Sequence, residues 1–361
     1  MSRFIVPGAS DVEAMVGGAI GALTWDGGGP TELQLQLMDA ILQRFSEGDA
    51  PEIAVIAPWS SSEVSAALDA STRNQLAHLV VVLELLLHPL PPGLERHVEH
   101  YLRGIGVHTP YVDVIRDTAH DHALRLHADL MRNSWYTEQT IHGIFKGRFA
   151  EMVRSKLAYY SIGTDEALAS KWRALESCPV GSWGHSVSEF YGVHGFAYPG
   201  EHDGIYEIGA LHDWVHVLAD YGTDPEGEID VFAFIAATMD DDRGFIQFIF
   251  TLALFQNASV TTVGGKHIPI ARADTISDSG ATDRLADALW RASQCTADVM
   301  GGVDHFALAD TPLDELRQQW LIPAKTSPSP GALDPAMPGP SAVSPSDVSP
   351  NDVSPSAATP E

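Results

Sequence analysis

Two cysteines in 361 residues, Cys178 and Cys295, form neither a C-x-x-C pair nor the closely spaced even set that a disulfide framework needs. Their default place is as small buried apolar groups in a reducing compartment. Basic residues are also scarce, since 21 lysines and arginines stand against 48 aspartates and glutamates for a net charge of −27. Such a surface cannot neutralise phosphates, so nucleic acid is excluded as a partner and simple electrostatic attachment to anionic lipid is disfavoured. No stretch reaches the roughly 18 consecutive apolar residues that a membrane span requires. Residues 1–7 lack an apolar core and a cleavage site, which gives the expectation of a cytoplasmic chain.

What is present is helical patterning, with 45% hydrophobic residues to build cores. The expectation is an all-α protein in three parts: a smaller helical domain over 1–135, a helical-bundle metal-binding domain over 136–325, and a disordered tail over 326–361. In the first part Thr31 caps a segment with Leu33, Leu37, Met38, Ile41, Leu42 and Phe45 on one side. Further helices begin at Ser61, run apolar over 76–87 up to Pro89, and extend from Pro91-Pro92 to near Gly104. Thr109-Pro110 opens a helix towards Asn133; on it His120 and His127 share a face while Asp121 and His122 do not, so it reads as a solvated linking helix. Lys146, Arg148, Arg154 and Lys156 then form the one locally basic patch, suited to surface ion pairs or to a carboxylate substrate, a lipid phosphate or a partner. Beyond Pro323 the chain is Pro, Ser, Ala and Asp, with Val-Ser-Pro recurring at 343, 348 and 353, a composition that cannot bury a core.

The strongest chemical signal is His212-Asp213-x-x-His216, eleven residues, then Glu228. Histidines four apart leave one face of a helix, one turn above the other, and form half of a metal site. Asp213 stands about 100° round the helix from His212 and can lean towards the same ion. Between His216 and Glu228 the segment 220–226 reads as a helix break, with Gly222 as the residue after the helix end, Thr223 or Asp224 as the next N-cap, and Pro225 in the first turn. Glu228 then begins an antiparallel neighbour and faces back, which gives two nitrogens and two carboxylate oxygens around one divalent cation. Aspartate in place of the glutamate of H-E-x-x-H reaches a ligand position more readily than it positions a water, which disfavours a zinc peptidase. Nitrogen and oxygen ligands without sulfur admit zinc, iron or manganese.

At these residues the chain resembles the COQ-four family of ubiquinone biosynthesis proteins. The likeness covers about residues 150–325. It includes Gly227-Glu228 opening the next helix, Val217-Leu218 after the second histidine, the upstream run 179–184 with Phe190 and Gly195, and the downstream segments 242–257 and 298–323. Departures are Trp183 at the family's leucine, no threonine between Gly181 and Gly184, Ala219-Asp220 for threonine-glycine, and no arginine between Tyr198 and His216. The resemblance implies an all-helical protein whose His, Asp, His and Glu bind one divalent ion, zinc. It implies a role in quinone synthesis, replacing the ring carboxylate of a prenylated benzoate by hydroxyl and gathering other biosynthetic enzymes at the inner membrane surface. Residues 25–27 and 31–32 have a shorter likeness to the start of tellurite-resistance-B-like helical domains.

Two functions follow as expectations. The first is a metal-dependent decarboxylase acting on a prenylated hydroxybenzoate-like or quinone-like lipid, in which a hydroxylating outcome needs iron, manganese or an electron-rich ring that reacts with oxygen itself. The second is a non-catalytic prenyl-lipid-binding scaffold with a structural metal. A His-Asp metal phosphohydrolase fits less well, because its further upstream histidine and downstream aspartate have no clear counterpart. The helix 244–255 is apolar on nearly every side. It reads as a core helix and also as the wall of a slot for a polyprenyl tail, with Phe245, Phe248, Ile249 and Leu252 as the candidate lining.

Overall fold

The computed structural model describes residues 11–46, 50–120, 163–239, 242–258, 262–263, 266–267 and 273–335. It is helical, as expected, with one two-stranded antiparallel ribbon pairing Thr262–Val263 with Lys266–His267. The expected linking helix beyond residue 120, the basic patch, the domain boundary near 135 and the tail beyond 335 lie outside the described residues. Among the described residues no helix is long and apolar enough to cross a membrane.

The N-terminal half contains α1 (Val12–Leu23), α2 (Glu32–Phe45), α3 (Ser61–Ala67), α4 (Ala70–Glu84), α5 (Leu94–Gly104) and α6 (Tyr111–Ala119). Local chemistry starts them: Thr31 with Gln34 and Ser60 with Glu63 form reciprocal capping boxes, and the Asp69 carboxylate accepts from Thr72 N. The sequence reading passed over α1, whose Gly, Ala and Met content carries no stripe because it is buried almost all round. It needs glycine, since a Cβ at Gly21 would lie 1.9 Å from Trp59 O, where the chain crosses the helix.

The C-terminal half contains α7 (Glu166–Arg173), α8 (Trp183–His194), α9 (Glu207–Ala219), α10 (Pro225–Thr238), α11 (Arg243–Phe255), α12 (Ala281–Gln294) and α13 (Leu313–Gln319). The two halves were expected as separate domains, yet their buried apolar side chains form one cluster. Helix α12 lies against both α2 and α10, and α11 packs on α10, α6 and α4. Phe245 of α11 stacks on His78 at 4.1 Å and meets Tyr111 edge-on at 4.9 Å, so α11 is the seam between the halves. Past its end, Gln256 Nε2 and Asn257 Nδ2 donate to Leu86 O and Leu85 O at 2.9 and 2.8 Å, satisfying carbonyls at the close of α4.

This packing favours the core-helix reading of α11 over the apolar slot. Phe245, Phe248, Ile249 and Leu252 are at most 1% exposed and are packed core. Their all-round apolar pattern reflects neighbours on every side, each large side chain contributing roughly 1.5–3 kcal/mol by leaving water. The tail boundary is also corrected. Residues 326–335 pack against the body, with Thr326 on Asp287 and Pro330 and Ala332 on the turn after α9. A Pro- and Ser-rich segment docks here through backbone groups, which composition does not register.

Candidate metal centre

Helix α9 presents His212 and His216 on one face, and how it ends decides where Glu228 goes. The expected C-terminal residue Gly222 is not the cap. Asp220 takes the left-handed conformation (φ 62°) directly after Ala219, and Gly222 N is spent on Pro330 O. Aspartate tolerates that conformation better than most side chains. The orphan carbonyls at this end are met by cations: Arg317 Nη2 on Val217 O (3.0 Å), Arg317 Nε on Leu218 O (2.9 Å), Arg291 Nη1 on Ala219 O (2.8 Å) and Lys325 Nζ on Asp220 O (2.7 Å). Positive charge suits a helix C-terminus, so these four bonds hold the last turn of the histidine helix firmly. Helix α10 starts as expected, with Asp224 as N-cap accepting from Gly227 N at 2.6 Å and Pro225 in its first turn. A Cβ at Gly227 would stand 2.1 Å from Gly222 O, so only glycine lets α10 begin this close to the turn and bring Glu228 back over α9.

The expected ligands converge. Nε2 of His212 lies 3.4 Å from Asp213 Oδ1 and 3.8 Å from Glu228 Oε2, and Nε2 of His216 lies 3.6 Å from Glu228 Oε1. One donor atom from each of His212, His216 and Glu228 falls within 4.8 Å of the others. Asp213 flanks this triad, with its second oxygen accepting the Tyr191 hydroxyl at 2.6 Å. Both imidazoles have one tautomer imposed on them: Nδ1 of His212 meets Gly209 O at 2.6 Å and Nδ1 of His216 meets Tyr221 O at 3.1 Å. A carbonyl only accepts, so each Nδ1 carries the proton and each Nε2 turns a lone pair inward, the usual preparation of a metal-binding histidine.

Two observations test whether these residues fit a cation. His216 Nε2 is buried and has no hydrogen-bond partner, an orphan that folding ordinarily avoids. The 3.4–3.8 Å separations are long for hydrogen bonds, yet donors about 2.1 Å from a tetrahedral ion sit roughly 3.4 Å apart. The donor set therefore fits a divalent ion. Electrostatics agree: burial drives the Asp213 carboxyl upward, against the pull of His212 and the Tyr191 hydroxyl. Burial also opposes charge on Glu228 and His216, but their mutual attraction prevails, lowering the glutamate and raising the histidine.

Sequence spacing missed the side chains that surround the ligands. Tyr191 comes from α8, Phe190 stacks on the His216 ring at 5.7 Å, and Phe232 stacks on His212 at 5.4 Å. His194, whose ring lies close enough to lower Glu228, holds Ala332 O through Nε2 at 2.9 Å. No local pattern marks them, since they come from other turns and helices; only the upstream run ending at Phe190 and Gly195 pointed to this region. His120, expected on a solvated linking helix, lies 4.0 Å from Glu95.

The centre is sealed on one side and open on another: His216 and Asp213 side chains are 1% and 8% exposed, against 14% and 16% for His212 and Glu228. Beside it runs a groove of about 550 Å³, lined by Tyr191, Phe196 and Tyr198 with Glu176, His185 and Glu189. Tyr191 thus stands between the groove and Asp213. No protein-family profile, curated protein or solved structure matches the chain. The chemistry of the site has to be argued from its own residues.

Proposed function

We propose that this chain is a divalent-metal protein of quinone or prenyl-lipid metabolism, in which His212, His216 and Glu228, with Asp213, hold one ion, zinc fitting best and iron or manganese also suiting the ligands. The observation that carries the reading is the buried, unpartnered Nε2 of His216 facing Glu228 at 3.6 Å. The resemblance of the motif to the COQ-four family supports the substrate class, a prenylated hydroxybenzoate-like ring that loses its carboxylate. Bound there, the ion would supply Lewis acidity to the ring carboxylate and phenolate and stabilise the charge that develops as CO2 leaves. The chain's own residues do the rest. Gly209 O and Tyr221 O fix the imidazoles, Tyr191 holds Asp213, and the partly exposed edge at His212 and Glu228 leaves room for a substrate oxygen. Among the described residues the groove's rim carries Glu176 and Glu189, which disfavour a free carboxylate there. A carboxylated ring would be gripped at the ion, from the partly exposed edge at His212 and Glu228.

The second reading, a lipid-binding scaffold with a structural ion and contacts to other biosynthetic enzymes, is favoured by the burial of His216 and Asp213. The two part in one assay. Metal-replete protein is incubated with a short-chain prenylated 4-hydroxybenzoate labelled at the carboxylate. Label released as CO2 by the wild type and not by His216→Ala supports the enzyme; retention of the lipid without release supports the scaffold.

A further inference from the structure

His216 takes its orientation from outside its own helix. Its Nδ1 donates to Tyr221 O at 3.1 Å, and Tyr221 lies in the turn that follows the left-handed Asp220. That turn is tied to a segment more than a hundred residues later in the chain. Lys325 Nζ donates to Asp220 O at 2.7 Å and gathers Ser329 O and Pro330 O at 3.0 and 3.1 Å. Gly222 N donates to Pro330 O at 3.1 Å, and Ala332 N donates to Asp220 Oδ1 at 3.1 Å. At the far end His194 Nε2 donates to Ala332 O at 2.9 Å, while the Thr223 hydroxyl lies 3.4 Å from His194 Nδ1. The turn carrying the Tyr221 carbonyl is therefore held from both flanks by residues 325–332.

We infer that residues 325–332 are a strap that sets the angle of the His216 imidazole, so that this C-terminal segment governs metal affinity without supplying a ligand. The inference rests on the metal reading above. Lys325 is its principal positioning residue: it joins the strap's own carbonyls to Asp220, next to the carbonyl that orients His216. Residues that orient a metal-bound histidine affect affinity by about 10–100-fold when lost, although they never touch the ion.

The test uses the full chain and zinc, with affinity read by competition with a chromophoric chelator. Lys325→Met is expected to raise the Kd for zinc about tenfold or more. Lys325→Arg, which keeps a cationic donor, is expected to stay close to wild type. The visible absorption of the cobalt-loaded protein is expected to shift in Lys325→Met and not in Lys325→Arg, a change that a general loss of stability does not produce. Gly331→Ala keeps the lysine and disturbs the strap alone, because its Cβ would lie 2.6 Å from Asp220 Oδ1; it serves if Lys325→Met does not fold. Unchanged zinc affinity and cobalt spectrum in a folded strap variant overturn the inference. If the wild type binds neither metal, the metal reading fails and the strap is judged on the His216 Nδ1 proton by NMR. Protection from exchange in the wild type and its loss in the variant support the strap, and equal protection in both removes it.

Discussion

At the scale of the residue, the centre depends on groups that are held rather than merely close. Tyr191 donates to the one Asp213 oxygen turned away from the histidines, and both residues are buried. Tyr191→Phe leaves that oxygen unpaired, at a cost of about 1–3 kcal/mol in unfolding free energy, and lowers metal affinity as well; thermal melts with and without zinc separate the two effects. Glu84 behaves oppositely to an ordinary surface carboxylate. Burial pushes its pKa up to about 8, partly opposed by the hydrogen bond from Gln34. The folded state thus keeps a proton that the unfolded chain releases near pH 4.5, so this group's contribution is intact at low pH and stability falls as pH rises towards 8. Glu84→Gln is expected to flatten that decline and to be the more stable protein at pH 8, by on the order of a few kcal/mol. Chemical denaturation at pH 5 and pH 8 checks it, and parallel pH curves for the two proteins contradict it. The four metal candidates were legible because helical spacing places them. Tyr191, Phe190 and His194 were not, since nothing in a local window says which side chains from another helix will close over a site.

At the scale of the element, α11 shows how one pattern admits two surroundings. Its apolar residues predicted burial correctly, and the structure decides what buries them: His78 and Tyr111 on one side and α10 on the other. Phe248→Ala should therefore cost about 3–5 kcal/mol, as for a large aromatic removed from sealed core, with zinc affinity at low temperature unchanged. A substitution that costs little and abolishes lipid retention would instead restore the slot. The end of α9 teaches the complementary lesson. Gly222 carried the usual signature of a helix stop, yet Asp220 holds the left-handed position, because the turn's geometry is decided by Lys325, Pro330 and Ala332 arriving from far along the chain.

At the scale of the whole molecule, the helical class and the convergence of His212, His216 and Glu228 were readable, and the relation between the halves was not. Separate domains were expected from the chain's length and from a resemblance that begins only near residue 150; the shared core arises from contacts such as Arg44 with Asp287 that no local window contains. Composition likewise set the tail's start at 326, yet the ten residues 326–335 pack on the body, because proline and serine dock here through backbone hydrogen bonds. A chain ending at Pro335 should melt within roughly a degree or two of full length, since the Pro-, Ser- and Ala-rich composition beyond it cannot bury a core and so adds nothing to the cooperative unit. A chain ending at Ala324 loses the bonds of Lys325 and the strap, each about 0.5–1.5 kcal/mol, and should melt several degrees lower. Equal melting of all three would show that the docked segment adds no stability.

The claim on which the rest depends is that the α9–α10 cup holds one divalent ion. Elemental analysis of extensively dialysed protein, wild type beside His216→Ala and Glu228→Gln with folding confirmed by circular dichroism, tests it most directly. The account predicts close to one zinc, iron or manganese per wild-type chain and a small fraction of that in each folded variant. Equal metal content in all three, or none in the wild type even after incubation with each metal, would contradict it.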